Sequence, residues 1–366
     1  MLLAFAPALA RAEEPSVEGL TLDEAIGRAL AHSLSLRLAN LEVEKKEALR
    51  EQAAEAVTFT PVQRASYDPS FEVKWYGLLS ADLQWQMSKK SYASAEDALV
   101  LQTCQKYWGV QAAQEQVQVA RLALECAEVA ARNARAMARV GAIAKTDLEG
   151  AEARLEQTRR TLAAAEATLA GAYQEFNRLV GLAPEDRPLL VDTPKYRPVE
   201  VASIEHEIAR VLEASPAVWQ AEQGRTLAEW NLWMAYAGGS YQPYEARRTE
   251  VEKAQVSAAE ARQATEQVVR SLYSSLRALE ERYAAQEQQV AEKQEKLRVT
   301  QAKFAVGMVT RADVKAAELE LAQARAALDD LVRQHAYLKL AFQKPWAAAG
   351  GGSSLSGTGS GSGSNQ

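Results

Sequence analysis

The chain has 366 residues, 25% of them charged, and a formal net charge of −6 at pH 7 with both signs interspersed. That balance gives no footing for nucleic-acid binding, and no run of 18 apolar residues follows the N-terminus to make a transmembrane helix. Ala, Glu, Gln, Arg and Leu dominate from about Ser94 to Leu182 and from Ala246 to Phe342, a composition for long helices rather than two mixed domains.

The first elements are local. Leu2 to Leu9 reads as the apolar core of a signal peptide, and Ala8-Leu9-Ala10 or Ala10-Arg11-Ala12 supplies small residues for cleavage, so residues 1–12 form a signal-peptide-like segment. Its positive leading region is missing, which points to a start further upstream. Thr21-Leu22-Asp23-Glu24 has the spacing of a capping box, and a helix is expected from there to about Ala56. Residues 57–93 change character. Pro61, Pro69 and Gly77 interrupt helical patterning, while Phe71, Val73 and Trp75, then Leu83, Trp85 and Met87, alternate with period two. This predicts one short β-hairpin at about 71–88, turning near Leu78–Ala81. The neighbouring aromatics Trp75, Tyr76, Trp85, Trp230, Trp233, Tyr236 and Tyr241 either pack the end of the helical body or form an interfacial belt; packing is the preferred reading.

The rest of the chain is a duplication. Val140-Gly141-Ala142-Ile143-Ala144-Lys145-Thr146-Asp147-Leu148 returns 166 residues later as Val306-Gly307-Met308-Val309-Thr310-Arg311-Ala312-Asp313-Val314. The register holds on both sides, with Tyr107 matching Tyr273 and Leu155, Leu162 and Phe176 matching Leu321, Leu328 and Phe342. Each copy is a long helix, a Gly turn and a long returning helix. The outgoing helix of the first copy, from about Ser94, places Ala113, Ala120, Ala127 and Ala134 on a coiled-coil seam, and the returning helices repeat Leu148, Leu155, Leu162, Leu169 and Phe176, then Val314, Leu321, Leu328, His335 and Phe342, every seven residues. The fold class is therefore mainly α: two tandem coiled-coil helical hairpins plus the short β-hairpin.

The first repeat spans 20–182, its helical hairpin about 94–180, with Gly181 as C-cap. A Pro-rich connector covers 183–199 and the second repeat 200–345. Ile26, Leu30 and Ser33 match Ile208, Leu212 and Ser215 at an offset of 182, so the second copy is 16 residues shorter, and Trp230 to Tyr244 holds no second β-hairpin. The Gly/Ser-rich tail, 346–366, is expected to be disordered. Cys104 and Cys126 fall on one helix, ~33 Å apart at ~1.5 Å per residue. That excludes a bridge between them, and an exported chain without disulfides draws rigidity from helix packing between copies.

No catalytic constellation, metal-ligand cluster or phosphate loop is present, and no cofactor is implied; His32, His206 and His335 are scattered, and a packed His335 fits its heptad position. The Gly turns stand apart. Gly141 and Gly307 sit at the reversals, where φ > 0 is needed. Asp147 and Asp313 follow six residues later, either as charges on helix N-termini or as a ring of carboxylates at a pore mouth.

These residues resemble the TolC family of outer-membrane efflux and secretion channels. Leu20-Thr21-Leu22-Asp23-Glu24-Ala25-Ile26 is similar to the family's opening, the two Val-Gly turns with their trailing Asp to its hairpin tips, and Tyr173 to Gly181 to its repeat-closing helix; the resemblance covers about 20–342. It implies a homotrimer whose hairpins form an α-barrel, with tips meeting a periplasmic adaptor (membrane-fusion) protein and an inner-membrane pump. By resemblance, Val140, Gly141 and Ala142 with Val306, Gly307 and Met308 are adaptor-contacting tips, and Asp147 and Asp313 are acidic positions at the tunnel entrance. Val309 stands where some members carry a basic residue, so no gating ion-pair network carries over. Members give four strands per chain to a barrel; at most two are expected here, of six or seven residues, whereas spanning takes ~9–11. The barrel is reduced or missing, and any membrane contact is peripheral.

The resulting expectation is a passive, non-enzymatic tunnel component of an efflux or type I secretion system, exported to the cell envelope. The alternative is an envelope scaffold that kept the hairpins without conduction. A periplasmic adaptor, which flanks one hairpin with β domains, fits less well.

Overall fold

The computed structural model describes residues 19–57, 69–233 and 244–351. The signal-like segment 1–12, the stretch 234–243 and the last residues, 352–366, lie outside that range. Among the described residues the protein is built from nine helices and one isolated parallel bridge, Leu20 to Leu190.

Each copy opens with two short helices broken by a serine. The first copy has α1 (Leu22–His32) and α2 (Leu34–Glu55). At α1 the capping box forms: Glu24 N–H donates to Thr21 Oγ1 at 3.3 Å, and Thr21 N–H donates to the Glu24 carboxylate at 3.1 Å. The single helix expected up to Ala56 is interrupted because Ser33, in extended conformation, ends α1 and caps α2 by accepting from Leu36 N–H at 3.2 Å. A serine oxygen aimed at its own backbone competes with continued helix.

The region expected to form a β-hairpin is helical. The third helix, α3, runs unbroken from Pro69 to Arg139, 71 residues and about 105 Å at the usual rise. Residues 71–88 are its start, and it begins at Pro69 rather than near Ser94 because proline suits the first helical turn. The period-two aromatics misled because the same stretch also carries a helical stripe. Tyr76, Leu79, Leu83 and Met87, spaced three or four apart, are buried or half-buried, and Arg50 of α2 reaches Asp82 at 2.6 Å and lies over the Trp85 ring. Packing against α2 outweighs the ~1 kcal/mol that Gly77 costs a helix interior.

α3 returns as α4 (Lys145–Val180). The second copy has α5 (Ile204–Ala214), α6 (Pro216–Trp233), α7 (Tyr244–Ala305) and α8 (Arg311–Gln343). Here Ser215 repeats Ser33: it separates α5 from α6 and accepts from Val218 N–H at 3.4 Å. α3 packs on α4, α7 on α8, and α3 also runs against α8, which joins the two hairpins. The heptad residues turn inward. Val117 and Ala120 meet Ala165, and Ala127 and Ala131 meet Leu155. Alanine on the seam lets the backbones approach closely.

The wider ends of the hairpins hold the larger cores. In the first copy Tyr107, Val110, Tyr173, Phe176 and Val180 cluster with Leu20 and Leu190. In the second, Ile208, Val211, Val269, Leu276 and Phe342 do the same. The connector is not loose. Gly181, at φ 75°, closes α4 as expected, and the buried Asn177 amide donates to the carbonyls of Ala183 and Asp186 at 2.9 Å each. The chain does not become irregular after Trp346. Pro345–Gly351 forms α9, Trp346 packs into the second core, and its indole N–H donates to Asp97 at 2.9 Å. Pro345 starts this turn and Trp346 anchors it.

Candidate functional site

The two Gly turns are built alike, bond for bond. In the first, Gly141 N–H donates to the Ala138 carbonyl at 3.1 Å and Ala142 N–H to Met137 at 2.9 Å. In the second, Gly307 N–H donates to Phe304 at 3.0 Å and Met308 N–H to Lys303 at 2.9 Å. This pattern is the Schellman closure of a helix, and it needs a left-handed residue. Gly141 has φ 69° and Gly307 φ 75°, with open space where a Cβ would stand, so conformation and not crowding requires glycine at both.

Around each glycine the side chains are apolar and uncovered. Val140 is 78% exposed, Val306 70% and Met308 73%, and Ala142 is exposed too. Ile143 and Val309, one step further along each turn, are half-buried. All six sequence-nominated tip residues therefore stand at the free ends of the hairpins.

Asp147 and Asp313 are both exposed and both sit in the first turn of a returning helix, where each carboxylate takes a backbone N–H. Ala144 N–H reaches Asp147 at 3.3 Å, and Thr310 N–H reaches Asp313 at 2.8 Å. The second cap is more complete, since the Thr310 hydroxyl also donates to Asp313 at 2.7 Å. That bond and the Thr310 N–H hold the Asp313 carboxyl below its ordinary range. Ala144 has no oxygen to return the bond, so the first box is half-formed. Both aspartates act as caps whatever else they do.

Sequence reasoning missed the joint between the copies. Arg333 of α8 is buried and forks onto Glu115 of α3, at 2.9 and 2.7 Å. Nearer the tips, Lys315 pairs with Glu125 at 3.2 Å, and the Cys126 thiol donates to the Lys315 carbonyl at 3.0 Å. A groove of about 340 Å³ runs beside the joint, walled by Trp108, Tyr337 and Arg333. No heptad pattern could reveal these pairs, because each links residues roughly 190 to 220 positions apart. His335 is buried with its ring 5.0 Å from Tyr196 and Nε2 3.4 Å from Glu280. Burial pushes the Glu280 carboxyl up, but donors from Val199, Arg277 and His335 outweigh it and hold the group low. Among the described residues no cluster of His, Cys, Asp or Glu has the geometry to hold a metal.

Paired hairpins with matched glycine tips, joined through α3 and α8, define a class of duplicated helical-hairpin proteins. Residues 78–182 match the family described as Outer membrane efflux protein. The chain is similar over most of its length to solved channels. One is the CmeC outer membrane channel of Campylobacter jejuni, at 13% identity and a TM-score of 0.66, covering 90% of this chain and 86% of that one. Another is the outer membrane protein VceC of Vibrio cholerae, at 16% identity and 0.65, covering 89% and 95%. A third is the open state of the MtrE outer membrane channel of Neisseria gonorrhoeae, at 16% and 0.64, covering 90% and 89%. No curated protein matches the sequence. The fold is thus that of these solved channels.

Proposed function

We propose that the chain is the tunnel subunit of an efflux or type I secretion assembly of the cell envelope. Three copies close six hairpins into a twelve-helix cylinder. The tips dock a periplasmic adaptor that couples the tube to an inner-membrane pump, and transport through it is passive. The observation that carries this reading is the pair of glycine tips, equal in geometry and edged with exposed Val140, Val306 and Met308. Apolar side chains left uncovered at the end of a coiled coil fit a surface that meets a partner. Asp147 and Asp313 would place six carboxylates around the entrance.

Two measurements test this. The purified oligomer should sediment as a trimer and give single-channel conductance in a bilayer; a stable monomer, or a trimer that conducts nothing, would leave only a scaffold. Replacing Gly141 and Gly307 by valine puts a β-branched residue at φ > 0. Export should be lost while helicity and oligomer mass stay unchanged, since the long helices do not depend on the turn's side chain. Loss of helicity in step with export would show that the glycines serve the fold alone. Asp147→Asn with Asp313→Asn keeps an acceptor for the capping N–H and removes charge, so cation preference should fall while oligomer mass stays unchanged, with a small loss of stability at the starts of α4 and α8.

A further inference from the structure

The long helices pack in the order α4, α3, α8, α7: α3 lies on α4 and on α8, and α8 lies on α7. The outer two each keep one free side. A ring of subunits therefore closes by setting α7 of one against α4 of the next, a head-to-tail contact that repeats around the axis. The offset of 166 residues makes this seam the counterpart of the α3–α8 joint inside a subunit, with α7 in the place of α3 and α4 in the place of α8. The two can be compared position by position.

Inside the subunit the joint is charged and filled. Arg333 forks onto Glu115 with its side chain only 9% exposed, and Lys315 pairs with Glu125 at 3.2 Å and Glu318 at 2.9 Å. Buried Trp108 and half-buried Tyr337 line the same joint. At the seam none of this is repeated. Glu115 becomes Glu281, but Arg333 becomes Ala167; Glu125 becomes Ala291, and Lys315 becomes Glu149. Cys126, which bonds the Lys315 carbonyl, becomes Glu292, so the register sets one acid against another. Trp108 and Tyr337 become Ser274 and Gly171. Glu149, Ala167, Glu281 and Glu292 are all exposed in the single chain. The basic residues of α4 nearest to Ala167, Arg159 and Arg160, lie about 10–12 Å along the helix. Arg159 is held by Glu156 at 2.7 Å, and Glu149 has Lys145 of its own helix at 3.5 Å.

We infer that the assembled tube parts between subunits: the seam of α7 against the next subunit's α4 yields first, while the two hairpins of each subunit stay joined. This rests on the ring of three subunits proposed above. A buried bidentate fork holds two helices in one geometry. Facing carboxylates push helices apart, and small side chains leave little to interlock. Opening at the tips is then a movement of three double hairpins rather than of six single ones.

Transplanting the fork tests this. Ala167→Arg puts a guanidinium opposite Glu281 of the next subunit, as Arg333 stands opposite Glu115. The full-length trimer should then dissociate on dilution about tenfold less readily, and its single-channel conductance should fall. Ala167→Arg with Glu281→Gln should return both to the original values. Cross-linking checks the register in a Cys126→Ser background with a short bismaleimide. Ala167→Cys with Glu281→Cys should give linked dimers and trimers on a denaturing gel and hold conductance low. Glu115→Cys with Arg333→Cys should link at monomer mass and conduct as the original does. The inference is overturned if Ala167→Arg changes neither dissociation nor conductance, or if the seam pair gives no linked dimer. It is equally overturned if the link inside a subunit closes the tube as fully as the link between subunits. A protein that is monomeric or conducts nothing before any substitution fails the tunnel reading first, and takes this inference with it.

Discussion

The two copies share a skeleton and differ in how it is fastened. Tyr107 and Tyr273 occupy the same position in each repeat, yet Tyr107 is fully buried and its hydroxyl both donates to the Leu20 carbonyl at 2.8 Å and accepts from Asp192 N–H at 3.0 Å. Tyr273 is half-exposed and accepts only from the neighbouring Arg277, at 3.1 Å. The second copy is secured instead by Glu280, which takes Val199 N–H at 2.8 Å, and by Tyr196 stacked on Tyr283 at 3.7 Å. What the copies hold in common is what backbone dihedrals demand: the serine breaks, the left-handed glycines and the first-turn aspartates. What differs is side-chain bonding to the connector between the repeats.

The largest effect should come from breaking the joint between the copies. Arg333→Met leaves the Glu115 carboxylate without its fork and should cost about 2–4 kcal/mol, read by denaturant unfolding; adding Glu115→Gln should recover part of the loss. The fastener comparison is next. Tyr107→Phe removes one of the two donors to the buried Leu20 carbonyl and the acceptor of the part-buried Asp192 N–H, and should cost about 1–2 kcal/mol, while Tyr273→Phe should stay within about 0.5 kcal/mol. Equal losses would erase the distinction between the copies.

The caps give a smaller, two-way test. Thr310→Ala should weaken the start of α8 by about 1 kcal/mol, and Ala144→Thr should strengthen the start of α4 by a similar amount, with hydrogen exchange in the first turns as the readout. The least effect is on pH. Because the folded Asp313 carboxyl is held low, its contribution is complete above the unfolded pKa and lost as pH falls through the lowered value. Carboxyl titration by NMR should place Asp313 below the ordinary range, and Thr310→Ala should raise it.

Most of the architecture was legible in the sequence because it is written in local rules. A glycine between two heptad runs, a Thr-x-x-Glu box and a gap of 166 residues each have one simple structural meaning. The stretch 71–88 misled because it carries a period-two set (Phe71, Val73, Trp75, then Leu83, Trp85, Met87) and a helical stripe (Tyr76, Leu79, Leu83, Met87) at once, and only contact with α2 decides between them. The tip residues were nominated by resemblance, and each set stands exposed at the free end of its own hairpin. The Arg333–Glu115 fork and the bonds of Tyr107 to Leu20 and Asp192 were not legible, since their partners are brought together by folding alone.

The unbroken length of α3 makes it a lever. Glu115, its fulcrum at the second copy, lies ~36 Å from the Arg139 end and ~69 Å from the Pro69 end at ~1.5 Å per residue. A tilt of about 5° there swings the tip by roughly 3 Å and the aromatic end by roughly 6 Å the other way. A push on the tip is therefore felt at the far end roughly doubled in amplitude and reversed in direction, and a push on the far end reaches the tip roughly halved.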